Sequence, residues 1–368
     1  MDYTMRQARD IIEDSVVNPL GNGQHRTIYL VGDPGIGKTS LARSVFMAHR
    51  KWDDHSLPLK DRKVINPNGF THFIAYVAPE REPIDWGLPS VNKARDAFSM
   101  LPLDEFKFLP TDRPFILIDE VDKAPNMMQN LIARIANDRT VGNIVFPEGT
   151  FILMAGNKLT NKAGGFVANT HIKNRRTNVP LMVSPEEWID DVAIPFELHS
   201  SVVSFIRVAN DMLHKFDAGA PSFPSPRSVT KVGLMLNQTK SPHVERALIE
   251  GDCGVEWANS FWGHLRIFRS LRNPEMVIAD PDNIEVPDGN DSMPILFAET
   301  THLAKYVNRK NADAIFRYFN RLPGEFGFIG YRDVLKRDRL LVSGSPSGQR
   351  WLVKNATMIA ATEAPAKD

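Results

Sequence analysis

The sequence has little cysteine and no surplus of either charge. Cys253 is the only cysteine among the 368 residues, which excludes an internal disulfide and a cysteine-based zinc cluster. Lys and Arg together number 44, and so do Asp and Glu, so the formal net charge is zero. This balance argues against a broad nucleic-acid-binding surface and leaves room only for local basic patches.

Long apolar runs, repeats and low-complexity tracts are missing too. No uninterrupted apolar segment reaches membrane-spanning length, and the first residues lack the pattern of a secretory signal. The hydrophobic content of 42% and the charged content of 24% are typical of a soluble globular protein. Together with the single cysteine, these features predict a cytoplasmic protein.

A glycine-rich loop follows a short apolar run near the N-terminus. The run Ile28 to Val31 predicts a buried parallel strand, and the residues after the loop predict a helix that extends to about His49. The loop has the pattern G-x-x-x-x-G-K-T and, with the next serine, consists of Gly32, Asp33, Pro34, Gly35, Ile36, Gly37, Lys38, Thr39 and Ser40. The order strand, loop, helix is that of a phosphate-binding loop.

Each residue type in this loop suits a triphosphate. Glycines allow consecutive backbone N–H groups to turn inward, and the helix N-terminus directs its dipole at the phosphates. Lys38 supplies a positive charge for the β- and γ-phosphates, and the Thr39 hydroxyl suits Mg²⁺. The alternative is a glycine turn without a ligand, but the strand and helix on either side favour nucleotide binding.

Two carboxylates end a second apolar run. Phe115 to Ile118 predicts a central strand, and Asp119 and Glu120 follow at its C-terminal tip. We expect Asp119 to hold Mg²⁺ and Glu120 to orient and polarise the attacking water. Solvated acids at the end of a strand are the alternative, and the phosphate loop upstream favours the catalytic interpretation.

A third apolar run ends in an amide. Phe151 to Ala155 predicts a buried strand, and Gly156-Asn157 stands at its tip, where an amide can hydrogen-bond both the γ-phosphate and water. The segment 139–150 before it predicts a hairpin around Gly142-Asn143. Residues 78–91 read as an irregular insertion, in which Trp86 is either a packing anchor or a residue presented to a pore or partner.

The C-terminal half has mainly helical patterns. Residues 179–183 predict one more strand, and helices are predicted over 200–216, 227–236, 255–271, 295–308, 311–320, 330–338 and 346–361. Residues 272–292 are rich in Pro, Asp and Asn and predict a linker.

These segments resemble the AAA+ ATPases, and within them the MoxR-like group that includes the CbbQ, NirQ and gas-vesicle GvpN proteins. The segment from Ile118 to Ile132 is similar to that group's D-E-[IV]-[ND]-[RK]-A-P-x-x-x-Q-x-x-L motif, with Ile132 in place of the final Leu. The resemblance extends over about residues 20–240, and Arg321 to Phe326 resembles extensions of phage-encoded members.

The resemblance implies an α/β fold, with a P-loop αβα core around a parallel five-stranded sheet, then a helical lid and a helical C-terminal extension. We place the core at residues 1–196, the lid at 197–272 and the extension at 273–368. It also implies ATP and Mg²⁺ as cofactors and a homo-oligomeric ring, usually a hexamer, in the cytoplasm, or in the host cytoplasm for a phage-encoded chain.

Two arginine sites come from the same resemblance. Asn174-Arg175 is similar to the segment that carries the arginine finger. Arg176 follows where the family often has Phe, so either Arg175 or Arg176 can be the finger. Ser225-Pro226-Arg227-Ser228 is similar to the sensor 2 motif, in which Arg227 would report the nucleotide state through the lid. A surface salt bridge is the alternative for Arg175.

Three functions are compatible with these motifs. The first is a MoxR-type ATPase that remodels a protein complex, with a von Willebrand A-type protein as a partner. The second is a nucleic-acid motor or clamp-loader-like ATPase, which the basic segments Lys173–Arg176 and Arg332–Arg339 would serve. The third is a scaffold that binds ATP with little turnover, and Glu120 and Asn157 argue against it.

The phosphate loop leads to a first prediction. Lys38→Ala should abolish nucleotide binding, because the β- and γ-phosphates lose their counter-charge. Calorimetry with ATP measures this, and the exposed Lys60→Ala variant serves as the control that keeps wild-type binding. ATP affinity at the wild-type level in Lys38→Ala would contradict the assignment.

Overall fold

A computed structural model of the chain describes residues 1–21, 24–86, 88–92, 94, 96–101, 104–141, 144–158, 174–238, 240–288 and 292–363. The chain divides into two compact units, Met1–Val183 and Ser184–Asp368. The turn Gly142-Asn143, Lys173 and the side chain of Trp86 lie outside the described part of the chain. In that part, none of the helices is long and apolar enough to cross a membrane.

The first unit is built on a parallel sheet. Its α-helices are α1 (Met5–Val17), α2 (Lys38–Ala48) and α3 (Asn126–Asp138). Its strands are β1 (Ile28–Val31), β2 (His72–Val77), β3 (Leu88–Asn92), β4 (Ala97–Leu101), β5 (Pro114–Asp119), β6 (Thr140–Val141), β7 (Ile144–Val145), β8 (Phe151–Gly156) and β9 (Thr177–Pro180). Five of them form one sheet in the order β2-β5-β8-β1-β9, and every pair in it is parallel.

Successive side chains along each strand point to opposite faces of the sheet, so an apolar core forms on both faces. On β5, Phe115 and Leu117 pack with the helices α1 and α2, whereas Ile116 and Ile118 pack with α3. All four side chains are fully buried, as expected for a parallel strand covered on both faces. The predicted α/β fold with a five-stranded parallel sheet is confirmed.

Two predictions for this unit need correction. The insertion after β2 is not wholly irregular, because β3 and β4 form an antiparallel hairpin; Pro89, which is unusual inside a strand, concealed it from the sequence pattern. The last strand was predicted at 179–183 and instead covers Thr177–Pro180, where its register pairs Thr177 with Ile28 of β1. The hairpin predicted within 139–150 is confirmed as the pair β6 and β7.

The second unit is helical. Its α-helices are α4 (Pro185–Trp188), α5 (Ser200–Val208), α6 (Pro226–Met235), α7 (Pro242–Cys253), α8 (Val255–Arg269), α9 (Pro274–Ala279), α10 (Met293–Tyr306), α11 (Ala312–Phe319), α12 (Gly324–Arg337), α13 (Arg339–Ser343), α14 (Pro346–Lys354) and α15 (Ala356–Glu363). The linker predicted at 272–292 is wrong for residues 274–279, since α9 forms there and buries Val277 completely. The division into a lid (197–272) and an extension (273–368) stays a prediction, and both segments belong to this unit.

A buried ion pair joins those two segments. The guanidinium of Arg207 on α5 donates to both carboxylate oxygens of Asp333 on α12, at 2.8 and 2.6 Å, and to the Thr301 hydroxyl at 2.7 Å. The side chains of Arg207 and Asp333 are only 5% and 7% exposed. Loss of one partner would therefore leave a buried charge without compensation.

This pair leads to a second prediction. Arg207→Met should lower the free energy of unfolding by about 3–5 kcal/mol, because Asp333 is left buried and unpaired. The matched control is Arg246→Met, which removes the exposed pair with Glu250 on one helix and should cost about 0.5 kcal/mol or less. Urea unfolding followed by circular dichroism measures the free energy of unfolding of both variants. Equal decreases in the two variants would contradict the prediction that Arg207→Met leaves a costly buried charge.

Candidate active site

Three parallel strands bring the phosphate loop, the Asp119-Glu120 pair and Asn157 to one edge of the sheet. β8 lies between β1 and β5, so the C-terminal tips of all three strands are neighbours. β1 leads into the phosphate loop, β5 ends at Asp119, and Asn157 follows β8. Asn157 is therefore placed between the loop and the Asp119-Glu120 pair, an order that the sequence alone does not show.

The predicted phosphate loop lies between β1 and α2. Gly37 precedes the first residue of the helix in a left-handed conformation, with a φ of 111° that a side chain would strain. α2 then begins at Lys38, and no side chain caps its N-terminus. The N-terminal N–H groups and dipole of such a helix suit an anion, and phosphate is one that can accept from them.

Lys38 connects the loop to the tip of β8. Its ammonium donates to the carbonyl oxygens of Gly32 at 2.7 Å and Asp33 at 3.0 Å, and to Asn157 Oδ1 at 3.2 Å. The residue is only 8% exposed, and a buried ammonium needs such acceptors. Two residues that lie 119 positions apart in sequence thus meet at the phosphate end of the loop.

Thr39 and Asp119 form the predicted magnesium pair. The Thr39 hydroxyl donates to Asp119 Oδ2 at 2.6 Å, so the two oxygens already face each other. Hydroxyl and carboxylate oxygens are ligands that Mg²⁺ accepts beside substrate phosphates. The donor set therefore fits the metal, directly beside the loop.

Glu120 has an unusual backbone conformation. It adopts the left-handed region with a φ of 55°, and its N–H donates to Asp119 Oδ1 at 2.9 Å. Non-glycine residues in this region are uncommon and cluster at functional sites. The carboxylate pairs with Lys123 at 3.1 Å, and both side chains stay about one-third exposed, within reach of water.

Asp122 belongs to the same group and was not predicted as a site residue. It is buried, and its two carboxylate oxygens accept the backbone N–H of Asn157 at 2.9 Å and the side-chain Nδ2–H at 3.3 Å. The sequence signal for Asp122 is its place in the motif from Ile118 to Ile132, three residues after Asp119. The short turn Val121–Lys123 directs it to the tip of β8.

The two arginines before β9 differ in their surroundings. The guanidinium of Arg176 lies over the ring of Tyr29, 3.5 Å from the ring centroid, and burial lowers its pKa from the usual value. Arg175 donates to the carbonyl oxygen of Ala133 on α3 at 3.4 Å. Both precede the N-terminal end of the edge strand, whereas the phosphate loop follows the C-terminal end of β1.

Arg227 is the predicted site residue of the second unit. It lies in the first turn of α6 and is exposed. Ser225 and Ser228 form a capping box around it, since each side chain accepts the other's backbone N–H. The S-P-R-S pattern thus has a local structural explanation as a helix start, and the role of Arg227 toward nucleotide stays a prediction.

No protein-family model matches the chain, and no curated protein matches it in sequence. Among solved structures, a candidate ATPase from Cytophaga hutchinsonii is 16% identical, with 96% of this chain and 88% of that chain covered and a TM-score of 0.32. The Holliday junction branch migration motor RuvB from Thermotoga maritima is 14% identical over 80% and 82% of the two chains, with a TM-score of 0.36.

The Orc1 protein from Aeropyrum pernix, solved in complex with DNA, gives similar values. It is 14% identical over 81% of this chain and 76% of that one, with a TM-score of 0.37. Likeness at this level carries no function from those proteins to this chain. The strand order and the loop geometry show that the first unit has a P-loop α/β fold.

Proposed function

We propose that the chain is an ATP-hydrolysing ring protein of the AAA+ class. The observation that carries this proposal is the meeting of Lys38, Thr39, Asp119 and Asn157 at one sheet edge, with Glu120 beside them. A scaffold that only binds ATP needs the loop but not the Asp-Glu pair or the amide. The group as a whole is suited to hydrolysis of the bond between the β- and γ-phosphates.

Each side chain has a distinct task in that reaction. Lys38 binds the β- and γ-phosphate oxygens, and Thr39 with Asp119 would hold Mg²⁺, which neutralises phosphate charge when bound. Glu120 pairs with Lys123 through one carboxylate oxygen, and the other would orient the attacking water and accept its proton. Asn157 Oδ1, which contacts Lys38, keeps the ammonium directed at the phosphates.

The γ-phosphate also needs a cation where charge develops in the transition state. Arg175 and Arg176 precede the edge strand β9, at the end of the strand remote from their own phosphate loop. An arginine there is better placed for the site of a neighbouring subunit. We propose Arg175 for this role, because Arg176 is stacked on Tyr29 in the core of its own unit, and we infer a ring, usually of six subunits.

Within this class we propose that the client is a protein complex, as in MoxR-type ATPases, with a von Willebrand A-type partner. The hairpin of β3 and β4 supports this, since its side chains of Leu88, Val91, Phe98 and Leu101 are between 50% and 76% exposed. An exposed apolar group of this kind suits contact with protein. The charge balance of the chain points the same way.

The basic segment 332–339 gives little support to the nucleic-acid alternative. Arg332 and Lys336 both lie within 4 Å of the carboxylate of Asp190. Arg337 is half-buried and donates to backbone carbonyls at the end of α10. These charges are used within the second unit, so they are poorly available to phosphates of DNA or RNA.

ATPase assays with possible partners test the client class. A purified von Willebrand A-type protein should raise the ATPase rate, whereas single-stranded and duplex DNA should leave it unchanged. Glu120→Gln loaded with ATP should retain the protein partner on a column. Stimulation by DNA and not by protein would favour the nucleic-acid motor instead.

Hydrolysis itself leads to a third prediction. Glu120→Gln should bind ATP as the wild type does and hydrolyse it about a hundredfold more slowly or worse, because the amide cannot accept the proton of the water. Glu148→Gln is the matched control: it makes the same chemical change at an exposed residue before β8, away from the strand tips, and should keep the full rate. A rate for Glu120→Gln close to the wild type would refute the role.

The trans arrangement leads to a fourth prediction. Arg175→Ala and Glu120→Gln should each be inactive alone, but mixed rings should regain ATPase activity. In a mixed ring, an Arg175→Ala subunit with an intact Glu120 can receive the intact arginine of a Glu120→Gln neighbour. Native mass spectrometry confirms mixing, and the same test with Arg176→Ala is the control that we expect to show no recovery. If the ATPase rate of the mixed rings does not exceed the sum of the two separate variants with either arginine substitution, neither arginine acts on a neighbouring subunit.

A further inference from the structure

The side chain of Asn157 has two different ends, and the structure fixes which end faces the phosphate loop. Its Nδ2–H donates to Asp122 Oδ2 at 3.3 Å, while its Oδ1 accepts from the Lys38 ammonium at 3.2 Å. A flipped amide would place oxygen against carboxylate and an N–H donor against ammonium. Both contacts would then be repulsive, so the orientation follows from the chemistry of the two neighbours.

Asp122 also holds the backbone at the same residue. Its Oδ1 accepts the N–H of Asn157 at 2.9 Å, so one carboxylate determines both the position and the rotation of the amide. This approach depends on Gly156. A Cβ there would lie 2.7 Å from Asp122 Oδ1 and 2.1 Å from the Tyr29 hydroxyl. Glycine at the tip of β8 is thus required for the carboxylate to reach Asn157.

A buried carboxylate needs compensation, and Arg176 supplies a positive charge nearby. Its guanidinium is stacked on Tyr29 and interacts electrostatically with Asp122. Burial raises the pKa of Tyr29 to about 12, so its hydroxyl stays protonated at neutral pH. Arg176, Tyr29 and Asp122 therefore form one packed group that ends at Asn157.

We propose that Asp122 is a positioning residue for ATP hydrolysis: it sets the amide orientation of Asn157, so that an acceptor, not a donor, meets Lys38. The inference rests on the proposed function and adds a residue to it. Arg176 acts in its own subunit as the counter-charge of Asp122. It is therefore not the arginine that contacts the nucleotide of a neighbouring subunit. Asp122 accepts one of the two N–H groups of the Asn157 amide.

Reciprocal exchange of the two side chains tests the proposal. Asp122→Asn should lower kcat about tenfold or more and leave the Kd for ATP within about threefold, because the amide at 157 turns its N–H toward Lys38. Asn157→Asp should be the least stable variant, since two carboxylates then face each other. The double variant should recover the melting temperature, because one carboxylate and one amide again form a bonded pair.

The activity of folded Asp122→Asn separates positioning from support of the fold. We measure kcat well below the melting temperature of the variant, where circular dichroism shows that it is fully folded. If Asp122 positions Asn157, kcat stays lower by about tenfold or more although the variant is folded and binds ATP. If Asp122 only supports the fold, the folded variant has the wild-type kcat, and the proposal is overturned.

The wild-type chain and Glu120→Gln serve as references in the same assay. No hydrolysis by the wild type would overturn the proposed function and, with it, this inference. Wild-type hydrolysis that Glu120→Gln abolishes and Asp122→Asn leaves intact would overturn the inference alone.

Discussion

The place of β8 between β1 and β5 is the constraint on which the site depends. In a parallel sheet the C-terminal tips of neighbouring strands meet at one edge, so this order puts Asn157 between Lys38 and Asp119. A ligand crevice outside the carboxyl ends of parallel strands is the usual place for such a site.

Close packing at the tip of β8 follows from the same constraint. Tyr29, Asp122 and Gly156 come from three different segments and meet behind Asn157, where a single Cβ on Gly156 would collide with the other two. The nearby Glu120 keeps a left-handed backbone that only its surroundings can stabilise. The local geometry of the site is therefore maintained by tertiary packing and not by the loop alone.

The second unit obeys a different rule. Its helices bury apolar faces against one another, and a buried ion pair links Arg207 on α5 with Asp333 on α12. The net stability from such a pair is small, because desolvation offsets the attraction, but removal of one partner is costly. The amino-acid composition predicts a linker at residues 272–292 between two separate segments. The ion pair between Arg207 and Asp333 nevertheless joins these segments, and composition gives no sign of it.

The sequence by itself determined the phosphate loop, the buried strands β1, β5 and β8, and the roles expected of Lys38 and Glu120, because each depends on residue types at short spacing. Only the tertiary structure decided the strand order, the hairpin of β3 and β4, the surroundings of Arg176 and the contact of Asp122 with Asn157. The physical reason is that these features join residues far apart in the chain. Strand pairing and the burial of a charge depend on which distant residues the fold places next to each other. A local sequence pattern does not contain that information.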